Sequence, residues 1–342
     1  MNPRIAARVR ELSGYTPGEQ PTEADVVKLN TNENPYPPSP RVAQALRELA
    51  AERLRLYPDP LCMALRRAIA AEAGCDPASV FVGNGSDEIL ALCTRAFVED
   101  GGAIGYFDPS YSLYPVLAAI RGAAGRPTPL GPDFAWRAPA AEGAALFLMT
   151  NPNAPTSVRY PRAEVEAFCR SFPGVVVLDE AYVDFADEHC LDLALRLENT
   201  LALRTFSKSY SLAGLRVGYA VGPPELIAAL FKIKDSYNVD ALAQRLALAA
   251  FGDAAHMRAN VARIRATRQR LAAELERRGF RVWPSQTNFL WVRPPERPAA
   301  ELFAALRRQR ILVRHFPGPR TGEFLRITVG TDAETDKLLA AL

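Results

Sequence analysis

Between Val80 and Val221 the chain alternates short apolar runs with helical stretches, and that rhythm leaves few folds open. The runs are Val80–Val82, Ala103–Phe107, Ala145–Met149, Val175–Leu178, Leu201–Thr205 and Val217–Val221. Such a pattern predicts α/β architecture, with a mostly parallel central sheet covered by helices on both faces. After Gly222 the character changes: 223–280 is rich in Ala, Leu and Arg at helical spacing. Short strands then follow at Val282–Trp283, Phe289–Val292, Ile311–Val313 and Leu325–Thr328, with helices near Ala299–Arg308 and Ala333–Leu342, a second and smaller α+β unit. We therefore expect a large domain over 39–245, a small domain over 246–342, and an N-terminal arm over 1–38 that contributes part of the small one.

Composition removes several function classes. At 342 residues, 49% hydrophobic and 23% charged, the chain has the makeup of an enzyme-sized globular protein rather than a disordered or fibrous one. Its 41 basic and 38 acidic residues are interspersed, so no basic stripe argues for nucleic acid. No apolar run approaches the ~20 residues of a bilayer helix, and Met1-Asn2-Pro3-Arg4 leads into no signal-peptide core, so we expect a cytoplasmic protein without a membrane partner. Five cysteines without a C-x-x-C pair read as buried small hydrophobes, and three scattered histidines give no metal site.

In open α/β sheets ligands bind beyond the carboxyl ends of the strands, so the residues just after each run carry the chemistry. Asp179 ends Val175–Leu178, where a carboxylate either wants a cation or serves as a helix cap or internal ion pair. Lys208, between Ser207 and Ser209, follows Leu201–Thr205 in a chain whose other lysines are only Lys28, Lys232, Lys234 and Lys337. A lysine can lose its proton when desolvated and attack a carbonyl, whereas arginine stays charged; the plain alternative is a solvated loop lysine. Arg216, with the hydroxyl of Ser207, presents a fork to a phosphate. Gly83-Asn84-Gly85-Ser86-Asp87-Glu88, ahead of a helix expected near Ile89, offers free N–H groups to a dianion, although the same residues also make good caps. Neither a dinucleotide nor a P-loop fingerprint is present.

Taken together, an amine, a carboxylate for a ring nitrogen, a flat side chain at Tyr111 and a phosphate cup are what pyridoxal 5'-phosphate requires. Tyr182, three residues beyond Asp179, is placed to donate to the cofactor's phenolic oxygen.

These segments, with Leu29-Asn30-Thr31-Asn32-Glu33-Asn34-Pro35, Tyr57-Pro58-Asp59, Asn151-Pro152-Asn153, Gly214-Leu215-Arg216 and Leu325-Arg326-Ile327-Thr328-Val329-Gly330, run in order through nearly the whole chain. On them the sequence resembles the fold-type I pyridoxal-phosphate-dependent aminotransferases, and among those most the histidinol-phosphate aminotransferase family. The resemblance implies a homodimer that exchanges an amino group between histidinol phosphate and 2-oxoglutarate, giving imidazole-acetol phosphate and glutamate in histidine biosynthesis. Aromatic amino-acid transamination and threonine-phosphate decarboxylation are the alternatives on the same fold. It further implies that Lys208 holds the cofactor covalently, Asp179 pairs with its ring nitrogen and Tyr182 bonds its phenolic oxygen. Gly85, Ser86 and Asp87 with Ser207 and Arg216 hold the phosphate, and Tyr57 reaches it from the neighbouring subunit. Arg326, helped by Arg314 and Tyr15, takes the anionic end of the substrate. One departure stands out: the family's Asn-Pro-Thr-Gly is here Ala154-Pro155-Thr156-Ser157. Either Asn153 supplies the hydrogen bond of the missing asparagine or Tyr182 carries it alone.

Overall fold

The computed structural model describes residues 2, 4–23 and 25–342. Its largest sheet has seven strands in the spatial order Val80–Gly83, Gly218–Val221, Thr200–Thr205, Val175–Asp179, Ala144–Thr150, Ala103–Asp108 and Ala124–Pro129. The strands run parallel except Gly218–Val221, which is antiparallel to both neighbours. The central strands are buried on both faces, which is why they read as uninterrupted apolar runs. One hydrophobic cluster around Ile89, Leu148 and Leu203 covers one face, and another around Phe107, Met149 and Leu178 covers the other.

The seventh strand, Ala124–Pro129, escaped the sequence reading. Its AGRPTP run is mostly exposed and carries two prolines, which a sheet accepts only at an edge where the missing N–H would have faced solvent.

The C-terminal part departs from expectation in one respect. Ile311–Val313 is not a single strand of the second sheet. Ile311–Leu312 pairs in parallel with Val27–Lys28, while Arg314–His315 pairs antiparallel with Leu325–Thr328 in a four-stranded sheet with Phe289–Arg293 and Arg281–Val282. The chain thus hands over from one sheet to another at Val313, and the segment before Leu29 is tied to the far end of the sequence. Val27 and Leu29 sit in the same hydrophobic cluster as Leu275, Leu290 and Ile327. The helical region becomes three helices, Pro224–Ile233, Ala241–Phe251 and Ala254–Arg277. Among the described residues no helix is long and apolar enough to cross a membrane.

Candidate active site

The carboxyl ends of Ala144–Thr150, Val175–Asp179 and Thr200–Thr205 open into a cavity of about 590 Å³, roofed by residues 15–20 and walled by Arg314, Phe316 and Arg326. Asp179 lies on its floor, 3% exposed. One carboxylate oxygen accepts from the Tyr114 hydroxyl at 2.9 Å and the other from the Ala181 N–H at 3.2 Å. Burial pushes its pKa up to about 6, because a charged carboxylate with no cation beside it loses its hydration. Such a group is poised for a cationic partner. Tyr114, fully buried, also meets Thr150 Oγ1 at 2.5 Å, so that carboxylate oxygen is fixed from behind.

Lys208 Nζ projects into the same space and donates to the Thr31 carbonyl at 3.1 Å. Burial, reinforced by the Arg326 guanidinium, lowers its pKa to about 8, which puts an uncharged amine within reach near neutral pH. Asn34 Nδ2 donates to the carbonyls of Lys208 and Ser209 at 3.2 and 3.1 Å, holding the lysine's own loop in place.

The helix expected near Ile89 begins at Gly85, so Gly85-Ser86-Asp87 forms its first turn rather than a preceding loop. That turn has no side-chain cap on its N–H groups. Gly85 has φ +80°, and a Cβ there would come within 2.6 Å of Arg216 Nη2; a Cβ on Gly218 would come within 2.7 Å of the Ser86 nitrogen. Glycine at both positions keeps Arg216 and the helix start close together. Arg216 donates to Ser207 Oγ at 3.3 Å and to Asp87 at 3.4 Å, and Asp87 accepts from the Tyr111 hydroxyl at 3.1 Å. Backbone N–H groups, a guanidinium and a hydroxyl on one side, and a buried acid and an amine on the other, make a donor set that fits a phosphorylated pyridine aldehyde.

On the opposite wall Arg326 donates to the Asn30 carbonyl at 2.9 Å, its guanidinium 5.3 Å from the Phe289 ring centre and 5.2 Å from that of Phe316, while its buried Nε has no partner among the described residues. Arg314 also reaches the cavity, but both its Nη groups donate to backbone, to the Pro17 carbonyl at 3.1 Å and the Thr16 carbonyl at 2.8 Å. Tyr15 sits edge-on to Tyr111 with ring centres 5.9 Å apart.

Asn153 is corrected: it is fully buried and does not line the cavity, because the turn between Pro152 and Pro155 points it inward. Its amide donates to the Pro109 carbonyl and to Thr156, and it accepts from Ser110. Tyr182 itself is met by Asn32, whose Nδ2 donates to the Tyr182 hydroxyl at 2.9 Å. Tyr57 lies outside the cavity of its own chain, 79% exposed and stacked on Tyr237 with ring centres 4.3 Å apart. Besides Asn32, sequence reasoning missed Tyr114 and Glu33; Glu33 lines the cavity and pairs with Lys28. The only signal for Asn32 and Glu33 was their place in the Asn30–Pro35 segment, and for Tyr114 its position three residues after Tyr111.

The family model described as aminotransferase class I and II matches residues 24–342. The chain belongs to that family. It is 48% identical to the histidinol-phosphate aminotransferase of Aromatoleum aromaticum, with 98% of this chain and 97% of the relative covered. It is 49% identical to histidinol-phosphate aminotransferase 1 of Bradyrhizobium diazoefficiens, again over 98% and 97%. Among solved structures, that of histidinol-phosphate aminotransferase from Sinorhizobium meliloti in complex with pyridoxal-5'-phosphate superposes with a TM-score of 0.89 at 27% identity, covering 100% of this chain and 97% of that one. For an aminotransferase, a cavity that joins a buried acid to a deprotonable lysine is the expected centre of reaction.

Proposed function

We propose that this aminotransferase is a cytoplasmic, pyridoxal-phosphate-dependent enzyme that moves the amino group between histidinol phosphate and 2-oxoglutarate, yielding imidazole-acetol phosphate and glutamate. The observation that carries the reading is the meeting of Lys208, Asp179 and the Gly85–Arg216 cradle around one cavity, in a chain nearly half identical over its whole length to enzymes of that name.

When bound, the cofactor supplies an aldehyde for covalent attachment of amines and a ring that accepts the electrons freed at the substrate carbon. The protein's own groups do the rest. Asp179, ionised against the ring nitrogen, keeps a proton there, and the pairing relieves its cost of burial. Lys208 Nζ would be the group that the cofactor's aldehyde holds and, as a free amine, the base that takes a proton from the substrate carbon and gives it back. Tyr182 donates to the phenolic oxygen, Tyr111 covers one face of the ring, and Ser207, Arg216 and the first-turn N–H groups of Gly85, Ser86 and Asp87 hold the phosphate. Arg326, helped by Arg314 and Tyr15, receives the substrate's anionic end, a phosphate in one half-reaction and a carboxylate in the other; Arg314 also ties residues 16–17 over the pocket. The active unit is a homodimer in which Tyr57 reaches the partner's phosphate site. The exposed Leu54, Leu56 and Leu61 around Tyr57 supply an apolar face for that contact.

A substrate panel tests the reading. Histidinol phosphate should be the preferred amino donor by kcat/KM over phenylalanine, tyrosine and threonine phosphate; equal rates on histidinol phosphate and the unphosphorylated aromatics would overturn the assignment.

A further inference from the structure

The family's usual asparagine is absent here, because position 154 is alanine, and Ala154 packs in the same apolar cluster as Tyr182, Phe185 and Phe289. Tyr182 nevertheless has a polar partner, which comes from the other end of the chain. Asn32 is 1% exposed and sits at φ +57°, a left-handed conformation that asparagine tolerates better than most residues. Every polar group it carries is engaged. Its N–H donates to Thr328 Oγ1 at 3.0 Å, Thr328 Oγ1 donates to its Oδ1 at 3.0 Å, its carbonyl accepts from Asn288 Nδ2 at 2.9 Å, and its own Nδ2 donates to the Tyr182 hydroxyl at 2.9 Å. Because Thr328 occupies the amide oxygen, the amide can only present N–H to Tyr182. The Tyr182 oxygen is therefore an acceptor in this contact, which leaves its proton free to point elsewhere.

We propose that Asn32, oriented by Thr328, is a positioning residue that aims and strengthens Tyr182 as a hydrogen-bond donor, and so compensates for alanine at position 154. The proposal rests on the reading of Tyr182 as donor to the cofactor's phenolic oxygen. A hydroxyl that accepts a hydrogen bond becomes a better donor, so Asn32 draws electron density from the phenolic oxygen through Tyr182. That withdrawal lowers the proton affinity of the neighbouring nitrogen that joins Lys208 to the cofactor. The quantity to follow is the pH midpoint of the visible absorption change of the bound cofactor.

The experiment uses the full chain loaded with pyridoxal phosphate. Asn32→Gly keeps the left-handed backbone and deletes only the amide. It should raise the midpoint by about one pH unit, a tenfold gain in proton affinity. Ala154→Asn in that background, which restores a direct donor, should bring the midpoint back down, and Thr328→Val should raise it in the same direction by less. In a Tyr182→Phe background, Asn32→Gly should add no further shift, since the route through the hydroxyl is gone. An unchanged midpoint in Asn32→Gly, or an equal shift with and without the Tyr182 hydroxyl, overturns the proposal. If the unaltered protein shows no bound visible absorption, the parent reading fails and takes this one with it, an outcome distinct from either of those.

Discussion

The floor and the roof of the cavity are built in different ways. The floor is made of strand ends: Asp179, Thr150 and Thr205, with Tyr114 behind them, are all nearly or fully buried, and side-chain hydrogen bonds join Tyr114 to Thr150 and Asp179, and Thr205 to Ser207. The roof and far wall are made of loop and small-sheet residues. Tyr15 is 40% exposed, and Arg314 holds residues 16–17 through two bonds to backbone carbonyls. A rigid floor suits a group that stays through every turnover, and a roof held by a few exposed bonds suits ligands that must enter and leave. Floor substitutions should therefore act on cofactor retention and kcat, and roof substitutions on KM.

The largest effect falls on the floor side. Lys208→Ala removes both the covalent anchor and the base, so kcat should drop by at least ~10²–10⁴-fold; steady-state turnover of the loaded protein measures it. Next is the wall. Arg326→Ala should lower kcat/KM by about 10–100-fold, mostly through KM, as expected for losing charge-assisted bonds worth roughly 1.5–3 kcal/mol. A pure kcat effect would break the division of labour. Tyr114→Phe, which unfixes Asp179, should weaken cofactor binding by about tenfold, with KM for histidinol phosphate nearly unchanged; equilibrium titration with pyridoxal phosphate checks it. Arg314→Ala should raise KM by only about 2–10-fold, the worth of one or two exposed hydrogen bonds.

How much of this was legible in the sequence follows the same line. Lys208, Asp179 and Arg216 were visible because each stands beside an apolar run that had to be a buried strand, and because lysine is scarce in this chain. The partners that tune them were not. Asn32 and Tyr182 are separated by 150 positions, and Thr328 lies 296 positions from Asn32. No local pattern marks such a contact; it exists only because Val27–Lys28 pairs with Ile311–Leu312 and brings the two ends of the chain to one wall. Asn153 misled for the converse reason. It adjoins Ala154 in sequence, yet the turn carries its side chain into the protein, where it binds Pro109, Ser110 and Thr156. Arg204 and Glu180, a buried ion pair beneath the site, were equally silent, since alternate residues of a central strand face opposite ways and nothing in their types marks the pairing.

The smallest predicted effect is on stability without cofactor, and its sign differs between the two groups. Asp179 has a folded pKa of about 6 against 3.8 unfolded, so the folded form binds the extra proton between those values and stability falls as pH rises through that window. Lys208 has a folded pKa of about 8 against 10.5, so the unfolded form binds the extra proton and stability rises with pH between those values. Thermal melts of the cofactor-free protein should lose the first slope in Asp179→Asn and the second in Lys208→Met.

The most direct test of the whole account is to load the protein with pyridoxal phosphate, reduce it with borohydride, digest it and locate the label by mass spectrometry. The account predicts one modified peptide, carrying the phosphopyridoxyl group on Lys208. Label on Lys28, Lys232, Lys234 or Lys337 instead, or on no residue at all, would contradict it.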